Sequence, residues 1–534
     1  MKNREVKYKG IPVKGSTQHK FILYSFTLFL YFFIFYFYII SLYFKGGFFM
    51  VTFLIGIIIL VGGGYLYGAF CEKVFGPDDR ETPAITKADG VDFVVMKKWK
   101  NSLINLLNIA GTGPVLGPIQ GILFGPVAFI TIPIGCVLAG SMHDYFSGMI
   151  SMRNGGAQMP RLIKKFLGGK VFGFYNVVIW ILMLLVGVVF VYTPGDLIVS
   201  EILRQEAVAT NPTTWIVYVC IFLYYVVATI FPIDAIIGRV YPIFGAFLII
   251  SAVGIFFGIL FGGGAYLQNL SFEGMFSQHP GGLPFIPIFF ITVACGILSG
   301  FHATQNTLIA RTVSNEKEGK MTFYNMMLVE GFIAMCWAGG AMVLFGKGTD
   351  MATGATLMVG LVSRDFLGNF GALFAIIGVI VLPITSGDTA FRGLRLMVAE
   401  QFNIDQTSTQ KRVSLSIAFF IPAFVILYIA KTNPAGFSIL WRYFAFTNQF
   451  VATFALATIS IYLYINGKNY LVSLIPGTFY FFVTLSFILN AKIGFNLPWT
   501  VAYSLAAVLC VAYIWFVRRR ATVQREQIVQ NVLS

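Results

Sequence analysis

The chain is short of charge. Only 11% of its 534 residues are Asp, Glu, Lys or Arg, against roughly 25% in a soluble domain. That shortage excludes a water-soluble globule of this length. Cysteine lacks a pattern. Six cysteines are scattered between Cys71 and Cys510 without a Cys-x-x-Cys pair, which argues against a disulfide framework or a thiolate metal site. Free cysteine in apolar sequence behaves as a small hydrophobe. The alternating pattern of an outer-membrane barrel is missing. No small-residue cleavage site follows the first apolar run, so a signal peptide fits poorly.

What the chain does have is apolar sequence. It is 57% hydrophobic with a mean hydropathy of +0.80, and apolar runs recur from Phe21 to Val517. Many approach the ~20 residues that span a bilayer as a helix. The expected fold class is therefore an all-α polytopic membrane protein. From Met50 onward the hydropathy predicts about thirteen transmembrane helices. They cover 50–69, 102–123, 126–150, 172–193, 214–236, 241–264, 284–309, 322–346, 369–390, 413–430, 438–465, 470–489 and 498–517. A fourteenth is added if 21–44 is a real span.

The net charge of +15 raises the question of nucleic acid. Placing the loops alternately on two sides, with 70–100 inside, answers it. The inside set then holds 24 Lys and Arg, among them Lys97, Lys98, Arg161, Lys164, Arg311 and Arg518. The outside set from Met50 has five: Arg204, Lys347, Arg364, Lys431 and Lys492. This is the positive-inside bias of a membrane protein. Membrane lipid, not nucleic acid, is the expected macroscopic partner, and the C-terminus is expected in the cytoplasm.

Residues 1–49 stand apart. Segment 21–44 is dense in Phe, Tyr and Ile, with neither Ala nor Gly. "KGGFFM" back-translates to a purine-rich ribosome-binding sequence shortly before Met50. Met50 is the expected natural start, with 1–49 an upstream extension. N-terminal sequencing of the native protein checks this.

The stretch "NIAGTGPVLGPIQG" at 108–121 resembles a glycine-rich nucleotide loop. Such a loop needs a strand before it, a helix after it and water around it. Here Pro114 and Pro118 lie inside an apolar span instead. Five spans later, "ACGILSGFHATQNT" at 294–307 interrupts the centre of 284–309. Five is odd, so the two interrupted helices run in opposite directions. Units 102–264 and 284–465 then form a five-plus-five inverted repeat with two broken helices. Residues 50–101 supply a first helix and a cytoplasmic loop. Residues 470–534 supply two extra helices and a basic tail. In inverted-repeat transporters, backbone freed at such breaks binds substrate and coupling ion. The predicted substrate cradle is Gly111, Thr112, Gly113, Gly117, Ser299, Gly300, Phe301, His302, Thr304 and Gln305. The competing reading is that Gly113, Gly117 and Gly121 are close-packing seams.

Ionisable residues at membrane depth are functional candidates. His143, Asp144, Glu330 and Asp388 fall in the inner half by helix rise. With the hydroxyls of Thr385 and Ser386 they form the predicted coupling-ion set. A structural alternative pairs Asp388 with Arg392 one turn on. Trp441, Arg442 and Tyr443 are expected to anchor at the outer interface, with Asn448 and Gln449 deeper, lining a cavity.

The stretches "GTGPVLGP" (111–118), "HDYFSGMISMRNGG" (143–156), "FITVACGILSGFHATQ" (290–305), "ARTVSNEKEG" (310–319), "TSGDTAFR" (385–392) and "LWRYFAFTNQ" (440–449) are long and specific. Together they resemble the carbon starvation protein A family of bacterial inner-membrane transporters. The resemblance runs over nearly all the chain after Met50. It implies import of peptides or pyruvate during carbon starvation, and kinship with the amino acid–polyamine–cation transporter superfamily. In that superfamily a sodium site often joins the first core helix to hydroxyls on the eighth, here Thr385 and Ser386.

The expected function is thus cation-coupled symport of a small carboxylate nutrient, not enzymatic catalysis. Peptide and pyruvate, and Na⁺ and H⁺, both stay open at this point. No metal or organic cofactor is expected. The alternatives are a nutrient receptor without net transport and, more remotely, a metal enzyme built on His143, Asp144, His302 and Glu330.

Overall fold

The structure is a computed structural model. It describes residues 50–533 apart from 90, 91, 231–233 and 407, with backbone only at 234–242 and 531–533. The candidate span 21–44 and the extension 1–49 lie outside these residues.

Among the described residues the chain is helical, without strands; one isolated parallel bridge joins Met96 and Val313. In lipid, each backbone polar group must find its partner inside its own segment, and a helix does this. The helices are α1 (Val51–Phe75), α2 (Lys98–Ile109), α3 (Gly113–Phe124) and α4 (128–153). Next come α5 (Met159–Leu167), α6 (Gly169–Ile202), α7 (Pro212–Ile230) and α8 (Ile243–Tyr266). The second half has α9 (285–297), α10 (Gly300–Ile309), α11 (Glu316–Gly346) and α12 (Ala355–Phe402). It closes with α13 (Thr409–Thr432), α14 (Gly436–Ile465), α15 (Leu471–Asn490) and α16 (Trp499–Leu533).

Ten described helices are long and apolar enough to cross a membrane. The bent pair α2–α3, with 50° between its halves, makes eleven. The two other expected spans take different forms. Segment 126–150 becomes α4, with a π turn at Cys136–Gly140. Segment 284–309 becomes the interrupted pair α9–α10.

Burial sorts the bundle into an inner and an outer layer. The most apolar window of α14 is 83% buried, and that of α11 is 78% buried. In α16 the figure falls to 22%. The outer helices expose large apolar side chains such as Ile58, Phe261 and Val511, which suits contact with lipid. Helix α12 packs along both α6 and α8 and reaches α3, while α14, α15 and α16 stack in sequence.

Two elements were not expected. Helix α12 begins at Ala355, well before the predicted 369, and bends at Gly368, whose φ of 65° favours glycine. The other is α5, a nine-residue amphipathic helix. Met159, Leu162, Ile163, Phe166 and Leu167 are buried, and Arg161, Lys164 and Lys165 face outward. It stops at Gly168, with φ 95°.

The segment before α2 is clasped to the segment after α10, and together they define a charge-rich face. Glu316 is buried and accepts from Arg153 Nε and Nη2 at 2.9 and 2.8 Å, and from the Asp78 backbone N–H at 3.1 Å. Lys317 pairs with Asp79 at 2.7 Å and Lys320 with Glu72 at 2.9 Å. Asn101 and Thr312 bond reciprocally, Nδ2 to the Thr312 carbonyl at 2.8 Å and Oγ1 to Asn101 Oδ1 at 2.7 Å. A hydrogen bond from Arg80 holds the Asp78 carboxyl well below the usual carboxylate range.

Removing one partner of a buried ion pair leaves an uncompensated charge, which costs about 3–5 kcal/mol. Arg153 keeps some solvent contact. Glu316→Gln should therefore cost about 2–3 kcal/mol and lower the unfolding midpoint of the purified protein. An unchanged midpoint would show that the clasp contributes nothing to stability.

Candidate functional site

The first break is at Ala110 and Gly111, between α2 and α3. Ala110 has φ −83° and ψ 63°, outside the helical region. Helix α3 restarts at Gly113, and Pro114 sits in its first turn, where a missing N–H costs no hydrogen bond. Pro118 lies inside the restarted helix. The unwound stretch is thus shorter than the sequence suggested. Gly113 and Gly117 are helical, not unwound.

Their role is close approach. A Cβ on Gly113 would stand 2.2 Å from Cys295 Cβ, and one on Gly117 would stand 3.0 Å from the Thr292 carbonyl oxygen. One on Gly121 would meet Val293 Cγ2 at 2.3 Å. These three glycines form the seam between α3 and α9. The packing reading and the broken-helix reading both hold, at successive positions of one motif.

The second break is at Leu298 and Ser299, both extended, with ψ of 124° and 125°. Helix α10 restarts at Gly300. Phe301, His302, Thr304 and Gln305 therefore sit on helix, not on unwound chain. The freed groups are taken up by α14. Asn448 Oδ1 accepts from the Phe301 backbone N–H at 2.9 Å and from Ser299 Oγ at 3.1 Å. Asn448 Nδ2 faces Ser299 Oγ at 3.0 Å and Cys295 Sγ at 3.3 Å. Gln449 Nε2 donates to the Phe290 carbonyl at 2.8 Å, and Trp441 Nε1 to that of Thr292 at 3.0 Å. Gly300 lets α14 come this near, since a Cβ there would lie 2.5 Å from the Asn448 carbonyl oxygen. Trp441 is thus a buried clamp, not the interface anchor its position suggested. Its ring is needed where α9 is irregular.

The two breaks meet over a small cavity of about 10 Å³, room for about one water. Gly111, Gly113, Ser299, Phe301, His302 and Asn448 line it, along with Phe190 of α6 and Phe444 of α14. The sequence offered no signal for Phe190, an ordinary aromatic in an apolar run. Thr112 is buried beside the break, and its hydroxyl has no hydrogen-bond partner among the described residues. Thr304 Oγ1 donates to the Phe301 carbonyl at 2.6 Å, and Gln305 Nε2 donates to Thr304 Oγ1 at 3.2 Å.

Directly behind the cavity runs a buried chain of ionisable groups. His143 Nδ1 lies 2.8 Å from Asp144 Oδ1, and His302 Nδ1 lies 3.1 Å from Asp144 Oδ2. His302 Nε2 is 3.6 Å from Glu330 Oε2. All four side chains are at most 1% exposed. The chain crosses three helices, α4, α10 and α11, and His302 is both its middle member and a wall of the cavity. Neither Glu330 oxygen has a hydrogen-bond partner among the described residues.

Asp388 does not join this chain. It pairs with Arg392 at 2.9 Å, one turn along α12. Thr385 Oγ1 bonds its own helix, to the carbonyls of Leu382 and Val381 at 2.9 and 3.2 Å. Ser386 is buried, and its hydroxyl has no partner among the described residues. Helix arithmetic grouped Asp388 with His143 and Glu330 but could not say which way its side chain points. The neighbouring Gly387 packs against Phe190 of α6 and Tyr225 of α7.

A bundle of long apolar helices, with two facing breaks over a buried polar chain, defines a multi-pass membrane protein. A family profile described as "Carbon starvation protein CstA" matches residues 48–194, 188–347 and 338–487, and the chain belongs to that family. An uncharacterized membrane protein of Haemophilus influenzae is 42% identical over 331 residues, 54% of this chain and 89% of its own length. The pyruvate/proton symporter BtsT of Escherichia coli is 26% identical over 339 residues, 52% of this chain and 46% of its own length. The match thus spans about half the length of that symporter. A crystal structure of a mutant manganese transporter from Eremococcus coleocola shares the fold, with a TM-score of 0.50 at 13% identity. It covers 80% of this chain and 94% of that one.

The α3–α9 seam makes a direct prediction. Gly113→Ala forces two Cβ atoms into one space and should cost about 1–3 kcal/mol by overpacking, read as a lower unfolding midpoint of the purified protein. Cys295→Gly in the same chain removes the opposing Cβ and should restore much of the lost stability. If Gly113→Ala is as stable as the parent, the seam is not tight.

Proposed function

We propose that this protein is a secondary active transporter that imports a small carboxylate-bearing nutrient, a peptide or pyruvate, by symport with a proton. The chain His143–Asp144–His302–Glu330 carries the reading. Imidazole can accept and donate a proton through its two ring nitrogens, and His302 stands here between two carboxylates, Asp144 and Glu330. Burying a carboxylate without hydrogen bonds is costly unless its charge is neutralised, so Glu330 is suited to hold a proton. The name of the Escherichia coli relative, a pyruvate/proton symporter, supports the choice of cation. Thr385 is occupied with its own helix, which weighs against a sodium site there.

The substrate carboxylate would bind where Asn448 now does. Its side-chain oxygen takes the Phe301 N–H and the Ser299 hydroxyl, two donors at the N-terminal end of α10. A carboxylate is a stronger acceptor for such donors, and the helix end favours negative charge. His302 is the next residue, so the incoming charge is balanced by a proton held one position away. The cavity is too small for either substrate, so entry requires the helices to part. In this reading, units 102–264 and 284–465 supply the inverted repeats that rock between inward and outward access. The charge-rich face and the C-terminus lie on the cytoplasmic side of the bacterial inner membrane.

Uptake of labelled pyruvate and a labelled dipeptide into proteoliposomes tests this. An inward proton gradient should drive accumulation without sodium. Glu330→Gln and His302→Gln should cut gradient-driven accumulation by roughly five- to a hundredfold, the usual range of a coupling free energy. Exchange without a gradient should persist. Accumulation that follows a sodium gradient instead would move coupling to Thr385 and Ser386. Absence of flux under every gradient would favour a receptor.

A further inference from the structure

A much larger cleft, of about 440 Å³, opens at the charge-rich face. It is of ligand-binding size, whereas the midplane cavity is not. Helix α5 forms one wall, and the start of α6 and the end of α12 meet behind it. There Asn176 Nδ2 donates to Gln401 Oε1 at 3.3 Å. Three cations line the cleft, Arg161, Lys164 and Arg311, against one carboxylate, Glu400.

The cations differ in how they are held. Arg311 is fixed: its Nε donates to the Gly156 carbonyl at 3.0 Å, its Nη1 lies 3.7 Å from Asp92 Oδ2, and its guanidinium lies 5.1 Å from the Phe93 ring centre. Arg161 and Lys164 have no carboxylate partner among the described residues. The Lys164 ammonium rests 5.3 Å from the centre of Phe172, a ring that also lines the cleft. Cations on the outer face of an amphipathic helix are usually just solvated. Here two of them, one turn apart, border a walled cleft that already holds a third, oriented guanidinium. Low-dielectric walls focus the field of like charges onto an entering counter-ion.

We propose that this cleft is a docking site for a small organic anion. Its carboxylate or phosphate group would lie among Arg161, Lys164 and Arg311. The site is separate from the midplane cavity and stands whether or not the transport reading does.

Calorimetric titration of the purified full-length protein at low salt tests it, with pyruvate and inorganic phosphate as separate probes. Saturable binding of at least one is expected in the wild type. The double variant Arg161→Gln, Lys164→Gln should weaken that binding at least about tenfold, since charge-assisted bonds are the strong ones. Glu400→Gln should tighten it, an effect no purely structural role of Glu400 explains. Stronger binding of pyruvate assigns the site to carboxylates, and stronger binding of phosphate assigns it to phosphate groups. Both substituted residues of the double variant face outward on α5, and an unchanged unfolding midpoint confirms its fold. The proposal is overturned if neither anion binds, or if the double variant binds like the wild type.

Discussion

One side chain, Asn448, makes the second helix break possible. A transmembrane helix cannot be interrupted in lipid unless the released N–H and C=O groups are met by protein. Asn448 meets the Phe301 N–H and the Ser299 hydroxyl through one oxygen. Its neighbours Gln449 and Trp441 meet the carbonyls of Phe290 and Thr292. Helix α14 is therefore a strip of donors and acceptors laid along an irregular helix, and its deep burial follows from that duty. Other features depend on the same clasp. Gly300 must lack a side chain for α14 to approach. Gly113, Gly117 and Gly121 must lack one for α3 to close over α9 from the other side.

The break also decides where ionisable groups go. Restarting α10 at Gly300 turns His302 toward α4 and α11, where Asp144 and Glu330 lie. An unbroken helix would continue the earlier rotation and point this residue elsewhere. The polar chain and the cavity are thus two faces of one turn of helix, and this is what links a substrate anion to a proton in the mechanism offered above. Asp388, on α12, is left out because its own helix supplies its counter-ion, Arg392.

At the charge-rich face the same chain uses charge differently. Glu316 is satisfied by Arg153 and a backbone N–H, which closes the segment before α2 over the segment after α10. A short distance away, Arg161 and Lys164 are left without carboxylate partners along the cleft. The contrast follows from position. Arg153 ends the buried helix α4 and must be neutralised, whereas α5 lies at the surface with its cations toward water.

Composition and hydropathy settled the helical membrane class and most of the spans, and the glycine and proline motifs placed both breaks to within a few residues. They did so because lipid imposes one-dimensional rules: a span needs a run of apolar residues, and a break needs glycine or proline. The sequence also named His143, Asp144, His302 and Glu330, since ionisable residues at depth are rare enough to notice singly. Only the tertiary structure decided that these four make one chain while Asp388 stays out. Likewise, it alone made Gly117 a packing contact, Trp441 a buried clamp and α5 a surface helix. Those outcomes depend on which way a helix faces and what packs against it. Rotation about a helix axis is set by neighbours hundreds of residues away, and a linear pattern of apolar residues with no polar stripe leaves it undetermined.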